Sequence, residues 1–433
     1  MVKQEIRRHS PIADFVYSYV FIRLFQLLYF VFSLFDKKAR RGLRGRRALF
    51  SSLERDLSGT PEGKRVWFHA SSFGEFEQAK PIIEILKKSG FTIIASFFSP
   101  SGYEYSRNYP DADVVTYIPI DSRRNARRFV RLIKPSVAVV MRYDLWFNHI
   151  SEAKSYGTKI ILADATFPVK LFHRTGFLRD FYRRLYSLPH LILATTAEHK
   201  KMFDFFLGTE STEVAGDTRF DRVYSKSVSN TVRQKLPVEL EKDGRTVLVL
   251  GSTWPQDMEV LVPGLKRIMA RFPSVAVIVV PHEPTVDEVK RLAREFPESM
   301  TLSEMERGSG ERPPVLIIDR IGLLTQLYVV ADMAYVGGGF GAGVHSVLEP
   351  AVYGIPIMTG PRIERSDEAI QLMQNGALFY VKDAAGAYRS MLRMMEDDAA
   401  RNKAGQVARE FVDRHLGAAQ VVATKVIEFS GTK

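Results

Sequence analysis

The sequence predicts an α/β protein of two domains, each a parallel β-sheet covered on both faces by helices. Three observations carry this expectation. A chain of 433 residues is too long for one ordinary core and suits two domains of roughly 150–200 residues each. From Val66 onward, short β-branched runs alternate with amphipathic stretches of helical spacing, the pattern of strands buried on both faces. That alternation breaks once, at the polar stretch 225–244, and then resumes.

The first series places strands at 66–69, 92–98, 114–118, 137–141, 159–164 and 191–195, with helical patterns such as 76–88 and 122–133 between them. The second places strands at 246–251, 275–281, 315–318, 333–337 and 356–358. Two βα series joined by a linker imply two Rossmann-like domains facing a cleft. The expected division is 1–50 for an N-terminal segment, 51–225 for the first domain and 226–433 for the second. In such sheets ligands sit beyond the carboxyl ends of the strands, so the loops there are the candidate sites.

The N-terminal segment is chemically distinct. Net charge is +12 overall, but residues 1–50 hold eleven Lys/Arg against Glu5, Asp14 and Asp36, leaving +8 there and +4 elsewhere. A nucleic-acid binder spreads its basic residues over a working surface, so this distribution argues against one. An apolar run, 15–35, is interrupted by Arg23, Gln26 and Ser33, which with Tyr19 and Phe30 form a narrow helical stripe. Seven of the next eleven residues, 37–47, are Lys or Arg. The expectation is a helix in or along a bilayer with a basic collar on anionic headgroups and the body on the cytoplasmic side. Arg23 is costly at mid-bilayer, and no small-residue cleavage site follows the run. An ordinary core helix with a solvated basic loop is the bland alternative.

Two loops stand out. In His69-Ala70-Ser71-Ser72-Phe73-Gly74-Glu75, after the first strand, Ser72 and Glu75 have capping-box spacing. Glu75 is equally placed as a general base, kept ionised by the helix dipole and only weakly basic. In Gly337-Gly338-Gly339-Phe340-Gly341-Ala342-Gly343-Val344-His345-Ser346-Val347-Leu348-Glu349, a strand ends in glycines and leads to a helix opening again as Ser-x-x-Glu. Glycines let backbone approach a phosphate, and a helix start favours the anion. Glu349 then suits a ribose diol. The bland reading of both loops is a turn and a capped helix. Smaller loops, Gly251-Ser252-Thr253, Pro281-His282-Glu283-Pro284, Ile321-Gly322-Leu323 and Gly216-Asp217-Thr218-Arg219, occupy similar positions.

Other chemistry has no support. There is no cysteine, hence no disulfide, thiolate metal site or thiol nucleophile. No P-loop, HExxH or GxSxG occurs, the nine histidines lack zinc spacing, and Asp111-Ala112-Asp113 precedes a strand as a solvated turn would. No metal is expected.

Together, HASSFGE, GDTRFD, GSTWPQD and GGGFGAGVHSVLEPAVYGIPIMTGP resemble the 3-deoxy-D-manno-octulosonic acid (Kdo) transferases over nearly the whole chain. The Gly-Gly-Gly-Phe-Gly form is most similar to the Bacteroidetes branch. The resemblance implies a GT-B glycosyltransferase fold, CMP-Kdo as donor, inversion at the anomeric carbon, and a lipid A precursor, lipid IVA, as acceptor at the inner (cytoplasmic) membrane. It implies no cofactor beyond the donor. By position, Glu75 matches the catalytic base. Pro281 and His282, Ile321, Gly322 and Leu323, and Ser346, Val347, Leu348 and Glu349 match CMP-contacting segments. Arg219 matches a basic position for phosphate or sugar carboxylate, and Ser252 and Thr253 join the candidate donor residues. The chain departs from the family pattern in three places. Pro-Arg-His-Pro reads Pro281-His282-Glu283-Pro284, Ser346 replaces a frequent asparagine, and Glu-x-Glu-Leu-Trp-Pro-Asn reads Arg142-Tyr143-Asp144-Leu145-Trp146-Phe147-Asn148. The rival expectations are a GT-B transferase using a UDP-sugar and a non-catalytic nucleotide-sugar-binding protein.

Overall fold

A computed structural model describes residues 11–229, 244–308 and 312–431, so most of the expected linker at 225–244 lies outside the described residues. The chain forms two compact units, Met1–Arg222 with Leu416–Lys433, and Val223–His415.

The first unit holds a seven-stranded sheet in the order β3-β2-β1-β4-β5-β6-β7. Its strands are β1 Arg65–Ala70, β2 Thr92–Phe97, β3 Val114–Tyr117, β4 Val137–Met141, β5 Lys159–Ala165, β6 Leu191–Ala194 and β7 Thr212–Val214. Every neighbouring pair is parallel. Side chains alternate between two cores: Trp67, Ile94, Ala138 and Val140 enter one, and Val66, Phe68, Ile93 and Val139 the other. This alternation is why the strands read as nearly continuous apolar runs.

The second unit repeats the plan in the order β10-β11-β9-β8-β12-β13-β14. The strands are β8 Thr246–Thr253, β9 Val275–Pro281, β10 Ser299–Thr301, β11 Val315–Ile317, β12 Met333–Val336, β13 Ile357–Thr359 and β14 Leu378–Tyr380, again all parallel. In each sheet the strand order reverses beside the first strand, between β1 and β4 and between β8 and β12. Such switch points open a crevice at the strand ends where ligands bind.

The last helix, Ala418–Phe429, corrects the expected domain limits, because 416–433 belongs to the first unit rather than the second. Ala419, Val422, Ala423 and Val426 form a helical stripe buried against Ile82, Ile83 and Leu86 of the helix Phe73–Lys88. Asp221 fixes the entry, accepting from the Gly417 and Ala419 N–H groups at 2.8 and 3.1 Å.

The N-terminal segment is also part of the first unit. Helical turns run from Pro11 to Phe35, with a π-helical stretch Val16–Phe21 and an α-helix Ile22–Phe35. The span Ile12–Phe35 is long and apolar enough to cross a membrane. Nevertheless one stripe is docked on the body. Tyr17 donates to Asp121 at 2.8 Å and Ser18 to Asn148 at 2.7 Å, Ile22 is fully buried, and Phe25 packs on Phe98 and Trp146. The expected stripe is therefore displaced by about a residue, since Tyr19, Arg23 and Phe30 face outward and Ser33 alone is buried. Periodicity shows that a stripe exists, whereas the polar partners Asp121 and Asn148 decide its phase.

The basic collar divides similarly. Arg46 is a structural residue: its Nε donates to the Ile118 carbonyl at 2.9 Å and Nη2 to that of Phe98 at 2.6 Å, between the Phe98 and Tyr117 rings. Arg41 pairs with Glu104, and Arg40 with carbonyls of the preceding helix. Lys37, Lys38, Arg44 and Arg47 remain exposed.

Candidate active site

In the first unit, the chemistry gathers where β1, β4 and β5 end. Ser72 caps the helix Phe73–Lys88, its hydroxyl accepting from Glu75 N–H at 3.4 Å. The Glu75 carboxylate does not return the bond to Ser72 as a capping box would. It accepts from Ser71 N–H at 2.6 Å instead. Only 8% of Glu75 is exposed. Burial pushes its carboxyl above the usual carboxylate range, the Ser71 N–H opposes this, the charge of Asp144 adds to it, and His69 and Arg142 oppose it. Removal from water is the largest influence, and its direction is opposite to the lowering expected of a helix start alone.

Asp144, after β4, accepts from His69 Nε2 at 2.9 Å and Trp146 Nε1 at 3.3 Å. His69 Nδ1 lies 2.9 Å from the Ser96 hydroxyl, which also accepts from Trp67 Nε1 at 2.8 Å. Burial raises the Asp144 carboxyl, but hydrogen bonds from His69, Trp146 and Ser71, with the His69 charge, outweigh it and hold the group low. Two neighbouring carboxyls are thus driven apart, Glu75 upward and Asp144 downward, which is how acid–base roles are separated in one site. At the end of β5, buried Asp164 accepts from Thr218 N–H at 3.1 Å and from the Thr218 hydroxyl. Burial and then the charge of Asp217 push it up to about 7. Arg219 is here too, its Nη2 paired with Asp217 at 2.8 Å, while the other donor candidates belong to the second unit.

Those candidates meet in the second unit at the ends of β8, β9, β11 and β12. Asp257, fully buried in the first turn of the helix Pro255–Arg271, organises them. It accepts from Trp254 N–H and Gly338 N–H, both at 2.9 Å, and from the Tyr335 hydroxyl at 2.8 Å. The His282 ring, directly after Pro281, is stacked between Trp254 and His345 with centroids 4.5 Å away on each side. Trp254 Nε1 donates to His345 Nε2 at 2.9 Å. Ser252 adopts φ +53. The carbonyl of buried Thr253 accepts the His282 N–H at 2.9 Å. Ile321, Gly322 and Leu323 lead into the short helix Leu324–Leu327. Beside it, the buried Tyr328 phenol is raised by burial and by the charge of Glu349.

The glycine-rich loop differs from its expectation in two respects. A Cβ on Gly337 would lie 2.2 Å from the Ser252 carbonyl oxygen, and one on Gly339 2.5 Å from Gly360 N, so these glycines serve backbone packing. The N–H groups of Gly337, Gly341, Gly343, Val344 and His345 all donate to carbonyls within the protein. Ser346 is exposed and does not cap Glu349, because the helix spans only Leu348–Ala351 and Val347 precedes it. An anion site at that helix start is therefore not formed by a capped helix. Trp254, Asp257, His345, Tyr328, His69, Asp144 and Asp164 carry no functional signal of their own in the sequence, although most lie inside its motifs.

Two parallel units of this topology define a GT-B glycosyltransferase fold. Solved structures agree: UDP-GlcNAc 2-epimerase from Neisseria meningitidis bound to UDP-GlcNAc aligns with a TM-score of 0.63 at 13% identity, over 84% of this chain and 100% of that one. MurG of Acinetobacter baumannii aligns at 0.55 and 14%, over 85% and 99%. The family pattern of the 3-deoxy-D-manno-octulosonic-acid transferases (kdotransferase) matches residues 41–222. A 3-deoxy-D-manno-octulosonic acid transferase of Chlamydophila psittaci is 30% identical over 336 residues, 74% of this chain and 75% of the relative. The chain belongs to the Kdo transferase family and is a glycosyltransferase.

Proposed function

We propose that the protein transfers Kdo from CMP-Kdo to lipid IVA in lipopolysaccharide biosynthesis, by one inverting displacement. The acceptor hydroxyl oxygen forms a bond to the anomeric carbon, the bond from that carbon to the phosphate oxygen breaks, and CMP leaves with the electron pair. Glu75 takes the hydroxyl proton. The observation that carries this reading is Glu75 itself, a carboxyl held by one backbone N–H at a strand end and made more basic by burial. The donor's nucleotide is read onto Ser252, Thr253, Pro281, His282 and residues 321–323 and 346–349. A single phosphate in the leaving group needs no metal to chelate a pyrophosphate, so hydrogen-bond donors suffice in principle.

The test is to incubate the protein with CMP-Kdo and lipid IVA in the presence of a chelator and weigh the product. Addition of Kdo is expected, with inhibition by CMP and not by UDP. Inhibition by UDP alone would favour the UDP-sugar alternative. Glu349→Ala should weaken CMP binding by ~1.5–3 kcal/mol if its carboxylate accepts from the ribose diol. Unchanged affinity in titration calorimetry would return Glu349 to its place beside Tyr328 and Tyr353, whose phenols are raised by burial and then by its charge.

The same reading places the N-terminal helix in the plane of a membrane surface. Its docked stripe holds it along the body, while Leu24, Leu27, Leu28, Val31 and Phe32 are each at least 44% exposed. Exchanging Leu27, Leu28 and Val31 for glutamine should move the protein to the soluble fraction with little change in melting temperature. Neutralising Lys37, Lys38, Arg44 and Arg47 should weaken binding to anionic vesicles by about 1 kcal/mol each. Deleting residues 1–47, by contrast, uncovers Phe98 and Trp146 and removes Arg46, and should destabilise the first unit. Unchanged vesicle binding by the glutamine variant would end the membrane reading.

A further inference from the structure

Arg142 is the first residue after β4, at φ +61, a left-handed conformation that arginine rarely adopts. Its backbone N–H is tied to the Ala163 carbonyl of β5 at 2.7 Å. Its Nε donates to Gln78 Oε1 at 3.2 Å, and Gln78 follows Glu75 by three residues on the helix Phe73–Lys88, on the same face. Backbone and Nε are thus both fixed. The terminal nitrogens of this half-buried side chain have no acceptor among the described residues, although Glu75 and Asp164 both feel its charge.

A planar guanidinium held by Nε, with terminal N–H groups to spare, is suited to a carboxylate or phosphate. The geometry points to Arg142 as the residue that binds the carboxylate of the donor sugar beside the base. This rests on the proposed function, whose chemistry selects the occupant. In a 2-keto acid sugar the carboxyl carbon is bonded directly to the anomeric carbon. The oxygen that Glu75 deprotonates attacks that same carbon, so the carboxylate lies next to the base at the moment of transfer. A phosphate on the acceptor is several bonds further away. The chain carries this arginine where the family pattern has glutamate and lacks the arginine of Pro-Arg-His-Pro.

Arg142→Asn tests the assignment, because asparagine tolerates the left-handed backbone and carries no charge. Initial rates are measured with donor and acceptor varied in turn, and CMP affinity by calorimetry. Donor KM should rise roughly 10- to 100-fold, the loss expected for a charged hydrogen-bonded pair. Acceptor KM and CMP affinity should be unchanged, since CMP carries no sugar carboxylate, and Arg142→Lys should fall between the two proteins. An unchanged donor KM overturns the assignment. So does a rise confined to acceptor KM, which would put a phosphate on Arg142, or an equal loss of CMP affinity. If Arg142→Asn does not fold, Arg142→Gly, which takes φ +61 without strain, is read by the same criteria. Absence of transfer by the unaltered protein would instead defeat the proposed function.

Discussion

Glu75→Gln should lower kcat by roughly 10²–10⁴, the usual contribution of a general base, while CMP affinity stays the same. Glutamine keeps the shape and one carbonyl oxygen, so the Ser71 N–H that Glu75 now accepts at 2.6 Å retains a partner and the loop survives. What disappears is the proton acceptor. Burial, the largest influence, raises the Glu75 carboxyl, so it protonates at a higher pH than an ordinary glutamate. The rate of the unaltered enzyme should therefore fall on acidification already above the usual carboxylate range. The stability consequence has the opposite sense. A carboxyl raised in the folded state contributes stability that is fully present below its unfolded pKa and lost as pH rises through the folded value. Glu75→Gln should then melt no lower than the parent at about pH 8, and the difference between the two should shrink toward about pH 4, near the ordinary glutamate value. Near-normal turnover by the folded variant would remove Glu75 from the mechanism.

Much of this site was legible because strand ends are marked by composition. The runs at 137–141 and 275–281 coincide with β4 and β9, and a loop that follows a buried parallel strand is a site by topology. The strands β7, β10 and β14 were not legible. Each has three residues and lies at a sheet edge, too short to show a period. Side-chain pairing was the larger gap. Ser72 and Glu75 read as a reciprocal cap, but the carboxylate bonds Ser71, and burial is the largest influence on its basicity. Arg46 read as one more basic residue of a collar, because charge counts do not register carbonyls of Phe98 and Ile118 brought from far along the chain. Arg219 read as a basic position for phosphate or sugar carboxylate, and its pairing with Asp217 was not legible. Such facts depend on which residues become neighbours, and a linear pattern does not contain them.

Asp257 shows how much a motif can hide, and replacing it should have the largest effect on the second unit. It lies within GSTWPQD, where its position suggests only an acidic residue in a helix's first turn. In the fold its carboxylate accepts three hydrogen bonds, from Trp254 N–H, Gly338 N–H and the Tyr335 hydroxyl, with none of the residue exposed. Asp257→Ala would leave three donors without acceptors, two of them fixed backbone N–H groups, at a cost of ~1–3 kcal/mol for each left buried. A total near 3 kcal/mol or more corresponds to a fall of roughly 6–12 °C in the melting temperature of a unit this size. Binding should suffer with it, since the bonds to Trp254 and Gly338 join the helix start to the glycine-rich loop, and Trp254 in turn stacks on His282. Asp257→Asn separates the two effects. Its carbonyl oxygen can serve both backbone N–H groups while its amide donates to the Tyr335 oxygen, so much of the stability should return and CMP binding with it. Thermal melts and CMP titration of the two variants check this. If Asp257→Ala melts with the parent and binds CMP equally well, the three hydrogen bonds do not hold the loop, and its shape must come from the glycine contacts with Ser252 and Gly360 alone.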